Sequence, residues 1–239
     1  MEDALRVVDE FGGKSTDGFF GLYDGHGGRE ISTYLKENLH ASVLNELSQD
    51  GAAADVPTCI QRAFVLTDAD CCELQEAKNA GSTAAIAFIR QEGDVRALYA
   101  ANVGDSRIVL CRNGKAERLT EDHKPDIPSE AMRICDAGGF VMHNRTSGVL
   151  AISRSFGDRE LKKWVIAQPY QSRSILDASC SFVILACDGV WDEMDDQDAV
   201  DLILALPVSH RAYAAQTIVN TARDRGSCDN ISAIVVFLG

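Results

Sequence analysis

The sequence lacks the features that mark several classes of protein. Its 239 residues contain only 5 prolines and no stretch rich in Gly/Ser or Pro, so nothing indicates a linker. The 8 cysteines form no Cys-x-x-Cys pair, which argues against a zinc site or a disulfide framework. No apolar run is long enough to span a bilayer, and no signal peptide is evident. We therefore expect a single domain, residues 1–239, that is not bound to a membrane. Its expected location is the cytoplasm, with the nucleus as the alternative.

Positive charge is also scarce. Lys and Arg number 23 against 36 Asp and Glu, which gives a formal net charge of −13. A chain with this charge is a poor partner for nucleic acid or for an anionic membrane surface. An anionic substrate would need bound cations to offset the acidic field. Hydrophobic residues make up 46% of the chain, which is enough for one sizeable core.

Four aspartates stand at the tips of short apolar runs. The runs are Phe19–Tyr23 before Asp24, Leu98–Gly104 before Asp105, Phe182–Cys187 before Asp188, and Ile231–Leu238 after Asp229. Each run is typical of a buried strand, and a carboxylate at its tip is costly unless a positive charge meets it. Four such tips brought together would form an acidic pocket suited to hard divalent cations. For any one of these sites alone, an Asp-Gly turn is the simpler interpretation.

The order of predicted elements favours an α+β fold. Strands and helices come in runs rather than in strict alternation, which argues for antiparallel sheets and against a doubly wound parallel sheet. Asn113-Gly114 lies between two strand-like runs and predicts a hairpin. We expect a four-layer sandwich of two antiparallel β-sheets flanked by α-helices. The predicted strands are Leu5–Val8, Gly18–Tyr23, Ser82–Ile89, Val95–Asn102, Arg107–Cys111, Ala116–Leu119, Phe140–His143, Val149–Ile152, Phe182–Cys187 and Ile231–Leu238. The predicted helices are Arg29–Leu47, Val56–Glu76, Ser129–Asp136, Gln197–Ala205 and His210–Ala222.

Several charged residues near these tips have two interpretations each. His26 follows Asp24 by two residues, so it is either a structural histidine or a general acid beside a metal. Glu2-Asp3 taken alone indicates a solvated acidic end. Asp192 belongs to a cluster of acids that would also suit a helix N-terminus. Arg107 could pair with a carboxylate, and Arg154 could reach a phosphate or a structural acid. A structural salt bridge is the favoured interpretation of each.

Eight segments, in this order, carry a resemblance to a known family. The chain resembles the metal-dependent serine/threonine protein phosphatases of type 2C. The matching segments are Met1–Asp3, Phe20–Gly28, Gly81–Ala84, Ala101–Arg107, Leu119–Pro125, Leu150–Asp158, Ala186–Asp192 and Asp229–Ser232. Together they span nearly the whole chain. The resemblance implies a sandwich of two antiparallel sheets with a binuclear Mg²⁺ or Mn²⁺ centre at one end.

The resemblance also implies the ligands of the two metals. Asp24 would bridge them. Asp188 and Asp229 would bind the first metal. Glu2 and the carbonyl of Gly25 would bind the second. Oxygen donors of this kind are the ligands that Mg²⁺ and Mn²⁺ prefer.

Further roles follow from the same resemblance. Asp3 would hold a water that is bound to the metals. Asp105, together with Asp188 and Asp192, would form a weaker third metal site. His26 would protonate the leaving alkoxide. The family usually has a phosphate-binding arginine a few residues before the segment that starts here at Met1, so we expect the natural chain to extend further upstream.

The leading hypothesis is a phosphatase that removes phosphate from phosphoserine and phosphothreonine in proteins, and that acts as a monomer. The alternative is a catalytically weak relative that binds phosphoproteins or a regulator. A relative of that kind would be expected to lose metal carboxylates, and here each one is matched. A structural Ca²⁺-binding domain would account for the acids but not for His26. The segment between Gly157 and Phe182 is short for the family, and Arg145 receives no role.

Overall fold

A computed structural model describes residues 1–49 and 55–238. The predicted single domain, 1–239, includes residues 50–54 and 239, which lie outside these ranges. The described helices are α1 (Glu30–Gln49), α2 (Val56–Glu73), α3 (Pro128–Asp136), α4 (Asp188–Trp191), α5 (Asp196–Leu204) and α6 (Ala214–Arg225). The described strands are β1 (Ala4–Asp9), β2 (Gly18–Tyr23), β3 (Gly25–His26), β4 (Gly81–Ser82), β5 (Ala84–Glu92), β6 (Val95–Val103), β7 (Arg107–Arg112), β8 (Lys115–Arg118), β9 (Val141–Met142), β10 (Arg145–Thr146), β11 (Phe156–Gly157), β12 (Tyr170–Leu176), β13 (Cys180–Ala186) and β14 (Ala233–Phe237).

Two antiparallel sheets form the centre of the molecule. The first has the strand order β1-β2-β5-β6-β12, and the second has the order β14-β13-β7-β8. A small sheet of order β11-β4-β3 and the two-stranded pair β9–β10 lie beside them. The predicted α+β class with antiparallel sheets is confirmed. No helix among the described residues combines the length and the hydropathy needed to cross a bilayer.

Three buried layers of side chains hold the two sheets and the helices together. One packs α1 and α2 against the first sheet, one lies between the sheets, and one packs α4, α5 and α6 against the second sheet. Strand β5 contributes to two of them, because Ile86 and Phe88 face the helices while Ala85 and Ala87 face the other sheet. A strand that is buried on both faces reads as a continuous apolar run, which explains the sequence of β5.

The strand register determines where the functional residues lie. Tyr23, the last residue of β2, pairs with Ala4 at the start of β1. In the second sheet, the last residue of β13, Ala186, pairs with Arg107 at the start of β7 and with Ala233 at the start of β14. The segments that precede β1, β7 and β14 therefore meet the segments that follow β2 and β13 at one end of the sandwich.

Several elements differ from the predictions, among them the short helix α4 and the two-residue strands β3, β4, β10 and β11. Three further differences concern longer segments. Strand β12 pairs with β6 at the edge of the first sheet. It was not predicted, because its residues are largely polar and partly exposed and show no apolar strand pattern. The predicted strand Val149–Ile152 is wrong, because the segment is turn structure with a single bridge from Leu150 to Thr146. The predicted helix His210–Ala222 is a 3-10 helix, Val208–Tyr213, followed by α6.

A charged cluster fastens residues 128–152, which we call the flap, to the segment that directly follows it. Glu130 is buried on α3 and accepts hydrogen bonds from the guanidinium groups of Arg133 and Arg154, at 2.8 and 2.6 Å, and from the hydroxyl of Ser153. Burial opposes ionisation of Glu130, but these donors outweigh it and lower its pKa to about 2. The structural interpretation of Arg154 is confirmed. Arg145 donates to the carbonyl oxygen of Val149 within the flap.

Arg107 is likewise structural. Its guanidinium lies 2.5 Å from the carboxylate of Asp122 and 2.6 Å from that of Asp196, and it stacks over the ring of Trp191 at 5.1 Å. These contacts tie the start of β7 to α5 and to the segment after β8. The salt-bridge interpretation of Arg107 is therefore confirmed too.

The buried imidazole of His123 predicts that the stability of the fold depends on pH. Burial lowers its pKa from 6.5 to about 4, and the charge of Arg154 acts in the same direction. Because the folded pKa lies below the unfolded one, protonation favours the unfolded chain as the pH falls from about 6.5 to about 4. Between pH 7 and pH 4, His123 should therefore cost the protein up to about 3 kcal/mol of unfolding free energy.

The measurement is urea unfolding of the protein and of His123→Asn across this pH range. Asparagine stays neutral and can still donate to the carbonyl oxygen of Gly104, as the Nδ1 of His123 does at 3.2 Å. The titrating carboxylates are common to both proteins, so they cancel in the difference between the two curves. The wild-type curve should fall more steeply towards acid pH. Parallel curves would show that His123 does not resist protonation.

Candidate metal centre and active site

Carboxylates from both sheets converge at the end of the sandwich. Asp24 follows β2 and Asp188 follows β13. The possible ligand atoms of Asp24, Cys187 and Asp188 all lie within 4.8 Å of one another. The charges of Asp3 and Asp105 act directly on Asp24, and the charge of Asp229 acts on Asp188. The structure thus brings together acids that are far apart in the sequence. Asp3 and Asp229, for example, are separated by 226 positions.

The electrostatics of this cluster are unfavourable without added positive charge. Burial raises the pKa of Asp24 from 3.8 to about 10, and repulsion from Asp188, Asp3 and Asp105 adds to the effect. Burial and the charge of Asp188 raise the pKa of Asp105 to about 7. Burial also raises the pKa of Asp188, with further contributions from Asp229 and Asp192. At neutral pH Asp24 would take up a proton unless cations neutralise the cluster.

The donor atoms in the cluster suit a hard divalent cation. Both carboxylate oxygens of Asp3 are buried, and neither makes a hydrogen bond of normal length and angle among the described residues, although the Ser232 side chain is close enough to oppose the rise that burial causes in the pKa of Asp3. Unpaired buried oxygens of this kind are costly, so they indicate a missing positive partner. The thiol of Cys187 is already engaged, since its Sγ lies 3.3 Å from the carbonyl oxygen of Asn230 and accepts from the backbone N–H of Ser232. The remaining donors are oxygens, the set that Mg²⁺ and Mn²⁺ prefer.

The start of the chain is held against this cluster. The backbone N–H of Glu2 donates to Oδ1 of Asn230 at 2.7 Å, and its carbonyl oxygen accepts from the hydroxyl of Ser32. Gly25 passes so close that a Cβ there would lie 2.6 Å from the same carbonyl oxygen. Glu2 and Gly25 are therefore neighbours, as a shared site requires.

At the outer side of the cluster, a lysine stands between two of the predicted ligands. The ammonium of Lys124 lies 3.8 Å from the buried carboxylate of Asp105 and 3.6 Å from the exposed carboxylate of Asp192. Burial opposes the charge of Lys124, but the carboxylates outweigh it and raise its pKa. Lys124 falls within the matched segment Leu119–Pro125, yet nothing in the sequence pattern indicates that it reaches the acids.

His26 lies at the edge of the same centre and has a partner that the sequence did not reveal. Its Nε2 is 2.8 and 3.0 Å from the two carboxylate oxygens of Asp158. The side chain of His26 is 29% exposed, whereas that of Asp158 is buried. The histidine is therefore held by a buried acid while part of its ring stays open to a ligand.

Buried carboxylates at the end of a four-layer sandwich, with a histidine beside them, define a candidate metal-dependent hydrolase. A family model described as protein phosphatase 2C matches residues 1–231. Protein phosphatase 2C homolog 1 of Schizosaccharomyces pombe is 42% identical over 241 residues, which cover 100% of this chain and 69% of that protein. Probable protein phosphatase 2C 11 of Arabidopsis thaliana is 45% identical over 243 residues, covering 99% of this chain and 62% of that protein.

A solved structure agrees with these sequence matches. The serine-threonine phosphatase 2C from Toxoplasma gondii superposes with a TM-score of 0.88 at 25% identity, covering 100% of this chain and 90% of that one. The chain belongs to the protein phosphatase 2C family, a family of serine/threonine protein phosphatases. The predicted family and enzyme class are confirmed. The chain spans about two thirds of the length of the two curated relatives described above.

The repulsion at Asp24 predicts opposite effects of one substitution with and without metal. A carboxyl whose pKa is raised on folding destabilises the fold at any pH above its unfolded pKa. Asp24→Asn removes this cost, so in chelator it should raise the unfolding free energy by at least about 1 kcal/mol, or Tm by about 2–4 °C. The same substitution should abolish the rise in Tm that Mn²⁺ gives the wild-type protein, because binding to the folded state stabilises it.

Thermal unfolding of both proteins, with chelator and with Mn²⁺, measures these shifts. Asp94→Asn, at an exposed acid in the turn between β5 and β6, serves as the matched control and should behave as wild type. A variant at position 24 that is less stable in chelator, or that keeps the full Mn²⁺ shift, would contradict the assignment of Asp24.

Proposed function

We propose that this chain hydrolyses phosphoserine and phosphothreonine in proteins at the carboxylate centre, with two Mg²⁺ or Mn²⁺ ions as cofactors. The observation that carries the proposal is the convergence of buried carboxylates whose mutual repulsion calls for cations. The phosphoprotein substrate supplies a dianionic group, which suits a centre whose positive charge comes from metals rather than from the protein. We further propose that residues 1–239 act as one catalytic domain and as a monomer.

The proposed metal ligands follow the family resemblance and the geometry together. Asp24 would be shared by the two ions, because the charges of Asp188, Asp3 and Asp105 all act on it. Asp188 and Asp229 hold one ion, and their mutual repulsion supports a shared cation. Glu2 and the carbonyl of Gly25 hold the other, which is supported by the proximity of these two residues.

When bound, the metals lower the pKa of a shared water and neutralise charge on the phosphoryl group. The residues of the chain supply the remaining functions. Asp3 has two buried, unpaired oxygens with which to accept hydrogen bonds from that water. His26 holds a proton for the departing serine or threonine oxygen. Asp105, Asp188 and Asp192 form a weaker third site, where Lys124 already neutralises part of the charge.

The alternative function is that of a catalytically weak relative, which binds phosphoproteins or a regulator. Such a protein needs different residues from those of an enzyme. A protein that only binds has no need for a costly cluster of buried carboxylates. Here the full set is present, and the histidine lies beside it. No described feature favours the binding-only function over catalysis.

The proposal predicts metal-dependent release of phosphate from a phosphothreonine peptide. Activity should appear with Mg²⁺ or Mn²⁺ and disappear with chelator. Asp188→Ala should abolish it, because one ion loses a ligand, while circular dichroism shows an intact fold. Asp94→Ala, at an exposed acid in the β5–β6 turn, is the control and should retain full activity. Near-normal activity of Asp188→Ala at low metal concentration would contradict the assigned ligand.

A second prediction separates the role of His26 from that of the metals. A serine or threonine alkoxide leaves poorly without a proton, whereas nitrophenolate leaves unaided. His26→Ala should therefore lower kcat/KM on the phosphopeptide by about 10²-fold, and on nitrophenyl phosphate by only a few fold. Equal losses on the two substrates would indicate that His26 orders the metal centre or the fold instead.

A further inference from the structure

The partner of His26 reaches it from an unrelated part of the chain. Asp158 lies 132 residues further on, and its carboxylate meets Nε2 of His26 at 2.8 and 3.0 Å. Only 5% of Asp158 is exposed, and among the described residues its sole ion-pair partner is His26. A buried carboxylate facing a single imidazole is a specific contact rather than an incidental surface pair.

Asp158 occupies a backbone conformation that favours glycine. Its φ is 47° and its ψ is 45°, in the left-handed region, which is unfavourable for residues with a Cβ. Its backbone N–H donates to the carbonyl oxygen of Ala80 at 3.0 Å, and its carboxylate accepts from the hydroxyl of Ser155. Several contacts therefore hold an acid in a strained position, which is typical of a residue kept for function.

The small sheet explains how Asp158 and His26 come together. On β4, Gly81 pairs with His26 of β3 on one side and with Gly157 of β11 on the other. A Cβ at position 81 would lie 2.6 Å from Nε2 of His26 and would overlap the carboxylate of Asp158. The side chain of Asp158 thus crosses above Gly81 to reach the imidazole. The absence of a side chain at Gly81 leaves the space in which the two groups meet.

We propose that Asp158 is a positioning residue for His26: it accepts the hydrogen bond from Nε2–H, and so fixes the ring with Nδ1 as the nitrogen that serves the substrate. A hydrogen bond at one ring nitrogen determines which nitrogen is left for chemistry. Nδ1 has no hydrogen-bond partner among the described residues. This inference rests on the proposed function, because it assumes that His26 acts on the leaving group.

The proposed step balances without any further reactant. His26 begins the step with a proton on each ring nitrogen. The oxygen of water forms its bond to phosphorus and keeps both of its protons in the phosphate product, while the bond from phosphorus to the serine or threonine oxygen breaks. The electron pair of that bond stays on the leaving oxygen, which takes the proton from Nδ1. His26 is left neutral with its proton on Nε2, still donating to Asp158. The carboxylate keeps its charge throughout and transfers no proton.

The first test compares substitutions at Asp158 on two substrates. Asp158→Ala removes the acceptor and should lower kcat on a phosphothreonine peptide by about 10-fold or more, with KM nearly unchanged, and lower kcat on nitrophenyl phosphate by less than about 3-fold. In Asp158→Asn, the asparagine keeps an acceptor oxygen and tolerates the left-handed backbone conformation. This variant should therefore lose less phosphopeptide activity than Asp158→Ala. Equal losses on both substrates would overturn the proposal.

The matched control is Glu10→Ala. Glu10 is also an acid in the left-handed region, with φ 53°, but it is exposed and lies outside the centre. Its replacement removes the same charge from the same backbone conformation and should leave the ratio of the two activities unchanged. A shift in that ratio as large as that of Asp158→Ala would overturn the proposal. It would show that removal of any acid from such a backbone conformation changes the ratio, whether or not the acid contacts His26.

A double-mutant cycle tests whether Asp158 acts through His26. In a His26→Ala background, Asp158→Ala should have no further effect on phosphopeptide hydrolysis. An undiminished effect in that background would overturn the proposal. Gly81→Ala offers an independent route, since its methyl group separates the two side chains without removing either one. It should give the same substrate-dependent loss, and unchanged activity on both substrates would contradict the geometry.

Nitrogen NMR of His26 in the Mg²⁺-loaded wild-type protein tests the inference independently of catalysis. The neutral ring should carry its proton on Nε2, and Asp158→Ala should shift the population towards the other tautomer. A wild-type ring protonated on Nδ1 would overturn the inference, whether or not the enzyme is active. Conversely, a proton on Nε2 together with equal losses of His26→Ala on both substrates would contradict the proposed function of His26 instead. The tautomer of the wild-type ring tests the inference even if Asp158→Ala fails to fold.

Discussion

The repulsion among carboxylates at one end of the sandwich is the constraint on which the rest of the structure depends. Burial and neighbouring charges raise the pKa of Asp24 to about 10, so the metal-free fold carries a large electrostatic cost at this point. Three layers of buried side chains compensate for it elsewhere, in particular the contact between the two sheets. A binding site for cations is thus built at the expense of local stability, as functional sites commonly are.

The sequence predicts the inner part of this site because the ends of apolar strands can be recognised in it. Asp24 and Asp188 each follow an apolar run. Antiparallel pairing places the end of each run beside the start of a neighbouring strand, Tyr23 beside Ala4 in one sheet and Ala186 beside Arg107 in the other. The core strands are equally easy to predict, since β5 and β13 are apolar along most of their length. Strand β12 was missed for the opposite reason. It lies at a sheet edge, its residues are largely polar, and pairing with β6 rather than burial makes it a strand.

The contacts around the centre were not predictable in the same way. Asp158 meets His26 only because β11 and β3 flank Gly81, and two-residue strands leave no periodicity in a sequence. Lys124 reaches Asp105 and Asp192 from the segment after β8, which has no regular structure of its own. Such contacts depend on where loops cross one another. A motif can show that a segment matters without showing which side chain it touches, as Asp158 within the matched segment Leu150–Asp158 illustrates.

The distribution of cations within the protein accounts for the expected order of metal affinities. Asp24, Asp188 and Asp229 form no ion pair with a lysine or arginine among the described residues, whereas Asp105 and Asp192 share the ammonium of Lys124. The charge of Lys124 also acts on Asp188 from further away, but bound ions are the closest source of positive charge for the inner acids, which favours tight binding there. A third ion at the outer acids would have to displace or repel an ammonium less than 4 Å away, and that repulsion weakens its binding. We therefore expect the ammonium of Lys124, rather than a poorer set of oxygen ligands, to make the third site the weakest.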